Sequence, residues 1–210
     1  MKKEEQILKD LREIEEFKKS NLNLRLNEIS NSYIEKGHEA IETYNNLYNA
    51  ALRIKKASAQ INEMVHAFGI LSCLPKILQK NEQIESLSLA SGATGEGIDL
   101  VTSYRVAEFK FSNWQETASN GMRKRQVFSD LVSLYLNETK KQKELYVLDI
   151  DAIKDFFTGD SKWKNVLAKN DSLRNRLIER CDKDLIEGEY VRDIFAIANV
   201  ELIDINIVLQ

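Results

Sequence analysis

The spacing of apolar residues changes several times along the chain, and each change marks a new element. Between Lys2 and Lys19, Ile7, Leu11, Ile14 and Phe17 recur at helical spacing among dense, balanced charge, the pattern of an amphipathic helix. Ser20 to Ser32 is rich in Asn and Ser and predicts a break. The longest pattern follows. Tyr33, Ala40, Tyr44, Leu47, Ala51, Ile54, Ser58, Ile61, Val65 and Phe68 keep a 4,3 alternation interrupted at Gly37, which predicts one long helix close to a coiled-coil seam. It is either a dimerisation arm or the partner on which the first helix folds back as a hairpin. From Gln60 to Leu78 this helix turns small and apolar: Ala67, Gly69 and Ser72 suit close approach to a sheet, and Pro75, the only proline, bends or ends it.

Past Gln83 the period falls to two. Gln83 to Ala90 alternates as a strand; after a glycine-rich loop, Gly97 to Val101 and Val106 to Phe111 alternate as two more strands around a tight turn at Ser103 and Tyr104. A polar loop leads to a helix in GMRKRQVFSDLVSLYLNET with Met122, Val127, Leu131, Leu134 and Tyr135 inward. Glu144 to Ile150 has the near-continuous apolar character of a buried strand. Short helices are expected around Phe156 and Phe157, from Trp163 to Leu167 and from Ser172 to Lys183, with Phe156, Phe157 and Trp163 in the core. Tyr190 to Ala198 and Val200 to Leu209 read as two further strands. The expectation is an α/β chain: a helical extension over 1–59 and a catalytic-size domain over 60–210.

Composition narrows this little. With 210 residues, 43% apolar and 30% charged, the chain has the make-up of a soluble protein. No stretch approaches the roughly 18 apolar residues of a membrane span, and the charged start MKKEEQILKD is not a secretory signal, so a cytoplasmic protein is expected. Cys73 and Cys181 lack a CxxC partner and read as reduced thiols. A net charge of -3 argues against a nucleic-acid coat protein but leaves room for a local basic groove.

The chemistry concentrates in GIDLVTSYRVAEFK. If the turn is centred on Ser103 and Tyr104, paired positions sum to a constant, which places Asp99 across from Glu108 and Gly97 across from Lys110. Opposed Cβ atoms are only about 4.5 to 5.5 Å apart, and like charges there repel. A cation must sit between the carboxylates: Lys110, or a hard divalent ion that prefers oxygen ligands. Glu63 and His66, one helical turn apart, project to a similar side of the preceding helix. His66 reads as a structural residue near an apolar face, whereas Glu63 lies off the Ile61, Val65 and Phe68 stripe. Arg123, Lys124 and Arg125 open a helix against its dipole, an arrangement that a bound phosphate would offset. The loop SGATGEG matches neither a Walker A loop nor a dinucleotide fingerprint.

The order helix, three strands, helix, strand, with Asp99 in GIDLV and Glu108 and Lys110 in VAEFKF, resembles the PD-(D/E)XK nuclease superfamily over roughly Gln60 to Ile150. The family's leading proline is replaced by Ile98. The resemblance implies a restriction-endonuclease-like αβββαβ core and a Mg²⁺- or Mn²⁺-dependent endonuclease acting on DNA. On that implication Asp99, Glu108 and the Phe109 carbonyl bind the metal, and Lys110 orients the attacking water. It also implies a Glu on the first core helix, for which Glu63 is the match and Glu85 a lesser substitute, and phosphate contacts from Arg123 and Gln126. A nuclease-fold module that has lost catalysis and acts in nucleic-acid binding or assembly through the long helix is the alternative. The blandest reading is a charge cluster on a solvated sheet face. The expected partners are DNA, a second copy through the N-terminal helices, or a partner protein, and no membrane.

Overall fold

The computed structural model describes residues 3–18, 22–36, 45–89, 98–112, 114, 120–184 and 188–210. The chain divides into two compact units, Met1–Ile61 and Asn62–Gln210.

In the first unit, α1 (Lys3–Lys18), α2 (Leu22–Lys36) and α3 (Asn45–Ala57) are all helical. The break expected over Ser20 to Ser32 is therefore overturned. Leu22, Leu26, Ile29 and Tyr33 recur at 4,3,4 spacing, and that period outweighs the weak helix propensity of the intervening Asn and Ser. The single long helix is overturned as well: α3 stops at Ala57, and Gln60 takes a left-handed φ of 68° before the next helix starts. A non-glycine residue in that region ends a helix. Residues 37–44 of the expected helix lie outside the described residues. α1 packs along α3, the folded-back arrangement. Asp10, fully buried, fixes the pair by accepting two hydrogen bonds from Arg53, at 2.7 and 2.8 Å.

The second unit begins with α4 (Ile61–Ile77), followed by β1 (Ile84–Leu87), β2 (Leu100–Thr102), β3 (Arg105–Lys110), α5 (Asn120–Leu136) and β4 (Gln142–Val147). Then come α6 (Ile150–Thr158), α7 (Trp163–Val166), α8 (Asp171–Asp184), α9 (Val191–Ala198), β5 (Glu201–Asp204) and α10 (Ile205–Leu209). The five strands form one sheet in sequence order. β1, β2 and β3 are antiparallel neighbours, while β3–β4 and β4–β5 run parallel. The crossover from β3 to β4 is α5, as parallel pairing requires.

Alternation along β3 sorts its side chains to two cores. Ala107 and Phe109 pack with Leu100, Tyr146 and Ile205 against Ile70, Cys73 and Leu74 of α4. Val106 packs with the larger core of Phe128, Leu131, Leu145, Phe157 and Leu177, into which α5, α6, α8 and α9 send their apolar faces. Gly69 sets the approach of α4: a Cβ there would lie 2.4 Å from the Phe111 ring.

Four expectations fail in this unit. Met122 was expected inward but is 55% exposed, and Phe128 and Val132 fill the core beside the expected Val127, Leu131, Leu134 and Tyr135. Tyr190 to Ala198 was expected as a strand, yet Val191–Ala198 is a helix; Val191, Ile194 and Ala198 are its buried positions, a 3,4 spacing, and Tyr190 and Asp193 close a capping box. Ile150 opens α6 instead of ending a strand, and only Glu201–Asp204 of the last segment is extended.

At the start of β3 the chain buries a guanidinium. Arg105, 5% exposed, donates to both oxygens of Glu82 at 2.8 and 3.1 Å and to both oxygens of Glu144 at 3.0 and 2.9 Å. Thr102 Oγ1 and the Gln79 N–H add bonds to Glu82, and the Tyr146 hydroxyl donates to Glu144 at 2.7 Å. Arg105→Met would leave two carboxylates without their cation and is expected to cost about 3 to 5 kcal/mol, read as a lower urea midpoint. Burial alone would raise the Glu82 pKa, but Arg105, Gln79 and Thr102 hold it down to about 2. Because the folded value is depressed, its contribution is complete above the ordinary 4.5 and is lost as pH falls towards 2. Acid titration of stability should therefore show a loss over that window that is absent in Glu82→Gln.

Candidate functional site

The other end of β3 carries the unbalanced charge. Leu100 faces Ala107 and Val101 faces Val106, so the next pair outward in the same register is Asp99 and Glu108. Asp99 is 9% exposed and Glu108 2%. Asp99 precedes the first ladder residue of β2, and its carboxylate substitutes for the missing strand: Oδ2 accepts the Phe109 N–H at 2.9 Å. In a strand the N–H and C=O of one residue point to the same side, which directs the Phe109 carbonyl towards this edge too.

Two helices complete the surroundings. From α4, His66 Nε2 lies 3.3 Å from Asp99 Oδ1, and the imidazole stands edge-on to Phe111 with ring centroids 6.2 Å apart. The close approach at Gly69 places His66 there. Glu63, one turn earlier, is exposed, and among the described residues no hydrogen bond or ion pair joins it to the carboxylates. From α5, Asp130 Oδ2 lies 2.9 Å from Lys110 Nζ.

Electrostatics follow from burying three acids around one ammonium. Glu108 Oε1 is buried with no hydrogen-bond partner. Burial first, and then the charges of Asp130 and Asp99, push its pKa up to about 10. Burial also drives Asp130 upward, against the pull of Lys110. For Lys110 burial would lower the pKa, but Asp130, Glu108 and Asp99 together raise it, so the side chain stays an ammonium. Glu108 is therefore neutral unless a further cation arrives. Oxygen donors of this kind suit a hard divalent ion. Among the described residues no three His, Cys, Asp or Glu side chains converge to enclose an ion by themselves. Coordination would have to be completed by the backbone carbonyl, water and substrate, as Mg²⁺ tolerates.

Beside Lys110 and Asp130 opens a cleft of about 380 Å³, and Arg125 and Gln126 line it. Arg123 and Lys124 do not; Lys124 lies over the Phe156 ring at 5.4 Å. The structure thus brings Lys110, Arg125 and Gln126 to one cleft, which Asp130 also lines; Asp99 and Glu108 are not among its lining residues, nor are Glu63, Arg123 and Lys124. Sequence reasoning missed Asp130 and set His66 aside. Asp130 lies four residues after Gln126, hence on the same helix face, and that spacing was a usable signal.

Since the folded pKa of Glu108 is raised, the native state binds a proton that the unfolded chain releases above the ordinary 4.5. Stability is present below that value and falls as pH rises towards 10, by up to about 1.4 kcal/mol per pH unit. Glu108→Gln should remove this slope in urea denaturation run across pH, gaining on the natural chain as pH rises; parallel curves for the two chains would contradict the burial argument. Comparison with protein-family models, with curated proteins and with solved structures finds no match.

Proposed function

We propose that the unit Asn62–Gln210 is a metal-dependent endonuclease that hydrolyses phosphodiester bonds in DNA, on a core of the restriction-endonuclease-like kind. One observation carries the reading: Asp99, just before β2, and Glu108 of β3 share a buried edge with an ammonium two residues further along β3, and one oxygen of Glu108 has no partner. The element order α4, β1, β2, β3, α5, β4 supports it, as does the cleft that joins Lys110 to Arg125 and Gln126.

Asp99, Glu108 and the Phe109 carbonyl would hold Mg²⁺ or Mn²⁺, with His66 beside Asp99. When bound, such an ion supplies Lewis acidity and a water of lowered pKa. Lys110 is held as an ammonium by Asp130, so it acts as a fixed positive charge and hydrogen-bond donor, not as a base. As one of the residues lining the cleft, it would offset the charge that builds on the phosphoryl oxygens in the transition state. Asp99 is oriented by the Phe109 N–H, which ties its position to the sheet register. The sheet and the two flanking cores keep Glu108 out of bulk water, so a cation bound there would meet a carboxylate little screened by solvent.

A second reading keeps the fold and drops the chemistry. Lys110 is already paired with Asp130, as in a module that binds nucleic acid or a protein without cutting. The two diverge in metal binding. On the nuclease reading, metal binding would be coupled to loss of the Glu108 proton, so calorimetry in buffers of different ionisation enthalpy should show proton release and affinity should rise with pH. A chain that binds neither Mg²⁺ nor Mn²⁺ favours the non-catalytic module.

The direct assay is incubation with linear, circular and single-stranded DNA, with and without Mn²⁺. Glu108→Gln and Lys110→Ala should each lower metal-dependent cleavage by about 10²-fold or more. Unchanged cleavage in both variants, or none by the natural chain, overturns the reading.

A further inference from the structure

The cleft beside Lys110 has a second wall that the carboxylate site does not use. It is the turn between α7 and α8, residues 167–170, whose Lys169 and Asn170 line the cleft together with Arg125 of α5. The turn is held from below. Leu167 is 1% exposed, its N–H donates to the Trp163 carbonyl at 2.9 Å, and the Asn170 N–H donates to the Leu167 carbonyl at 2.9 Å. Asn170 Oδ1 accepts from the Leu173 N–H at 3.1 Å, which leaves its amide N–H groups to donate elsewhere. Lys169 therefore stands exposed on a fixed backbone.

Charges around this wall are unevenly spent. Asp171, the acid next to the turn, is paired with Arg174 at 2.7 Å, and Asp130 is paired with Lys110 at 2.9 Å. Arg125 and Lys169, by contrast, have no acidic partner among the described residues. The cleft thus offers two uncompensated cations next to the proposed scissile position. Met122, 55% exposed, and Val166 add apolar surface to the same lining. A volume of about 380 Å³ falls at the low end of small-ligand pockets, roughly 300 to 1,000 Å³, which suits one nucleotide and not a duplex.

We infer that this cleft seats the single-stranded nucleotide adjoining the phosphate at Lys110, with Arg125 and Lys169 taking its phosphate, Asn170 donating to it and Met122 and Val166 touching its base. The inference rests on the nuclease reading and extends it to residues beyond the core helix α5. Its consequence is a preference for substrates with an unpaired strand at the cutting position, because the cleft admits a base only when it is free of its complement. Lys169 is a binding residue here, with no part in holding a metal.

The test is fluorescence anisotropy with a labelled single-stranded oligonucleotide in EDTA, so that cleavage does not intervene, repeated over a range of salt. Lys169→Gln and Arg125→Gln should each weaken binding roughly 3- to 10-fold and lower the slope of log affinity against log salt by about 0.7, the loss of one single-strand phosphate contact. Lys162→Gln serves as the control: that lysine is exposed, is paired with Glu189 and does not line the cleft, so affinity and slope should stay as they are. If the natural chain binds and cleaves but both cleft variants keep its affinity and slope, the cleft assignment fails and the nuclease reading stands. If the natural chain neither binds nor cleaves any nucleic acid, both fail together.

Discussion

Burial of more acid than base around one strand, where Glu82, Glu144, Asp99 and Asp130 from neighbouring segments surround its own charges, is the constraint around which the second unit is arranged. β3 is inside the protein for nearly its whole length and carries Arg105, Glu108 and Lys110. Charge in such a place must be matched by neighbours or neutralised by a proton. The two ends of the strand resolve this differently. At Arg105 all four oxygens of Glu82 and Glu144 receive hydrogen bonds, and the network is closed. At Glu108 one oxygen is left over, and the carboxyl keeps a proton far into the alkaline range. A closed network holds a fold together; an open one has capacity for something else.

The hairpin that carries the open end was legible because its evidence is local. Alternation fixed the faces, the tight turn fixed the register, and the pairing of Leu100 with Ala107 follows the sum expected from the turn at Ser103 and Tyr104. Core positions such as Phe156, Phe157 and Trp163 were legible for the same reason. Less could be read where two periods overlap. In VRDIFAIA the apolar residues fit an alternating count almost as well as a helical one, and only the capping residues at Tyr190 and Asp193 distinguish them. Asn and Ser between residues 20 and 32 masked a helical stripe, and the stop at Gln60 rests on a backbone angle that the residue type does not announce.

The site was legible along the strand and obscure across it. Asp99, Glu108 and Lys110 are near in sequence, so spacing alone assembles them. His66, Asp130 and Lys169 come from separate elements whose relative rotation is set by packing. Gly69 against Phe111 decides which residue of α4 reaches Asp99, and it selects His66 while Glu63 remains exposed. A difference of three residues on a helix is enough to exchange an acid for an imidazole at that edge. The Arg105 network was missed entirely, since its members stand 23 and 39 residues apart and share no motif.

That separation bears on how the unit assembles. The Arg105 guanidinium bonds Glu82, 23 residues back in the chain, whereas Glu144, 39 residues on, is brought beside it by β4, which pairs in parallel after the α5 crossover. Parallel pairings of this kind are the slow, non-local contacts of folding. Until β4 docks, a charge destined for the interior is half matched and still draws water to the centre of the sheet. The clamp therefore acts as a latch on the order of events: the sheet becomes dry only when its fourth strand is in register, and a chain halted before that point keeps an open, hydrated edge at β3 that invites pairing with another molecule.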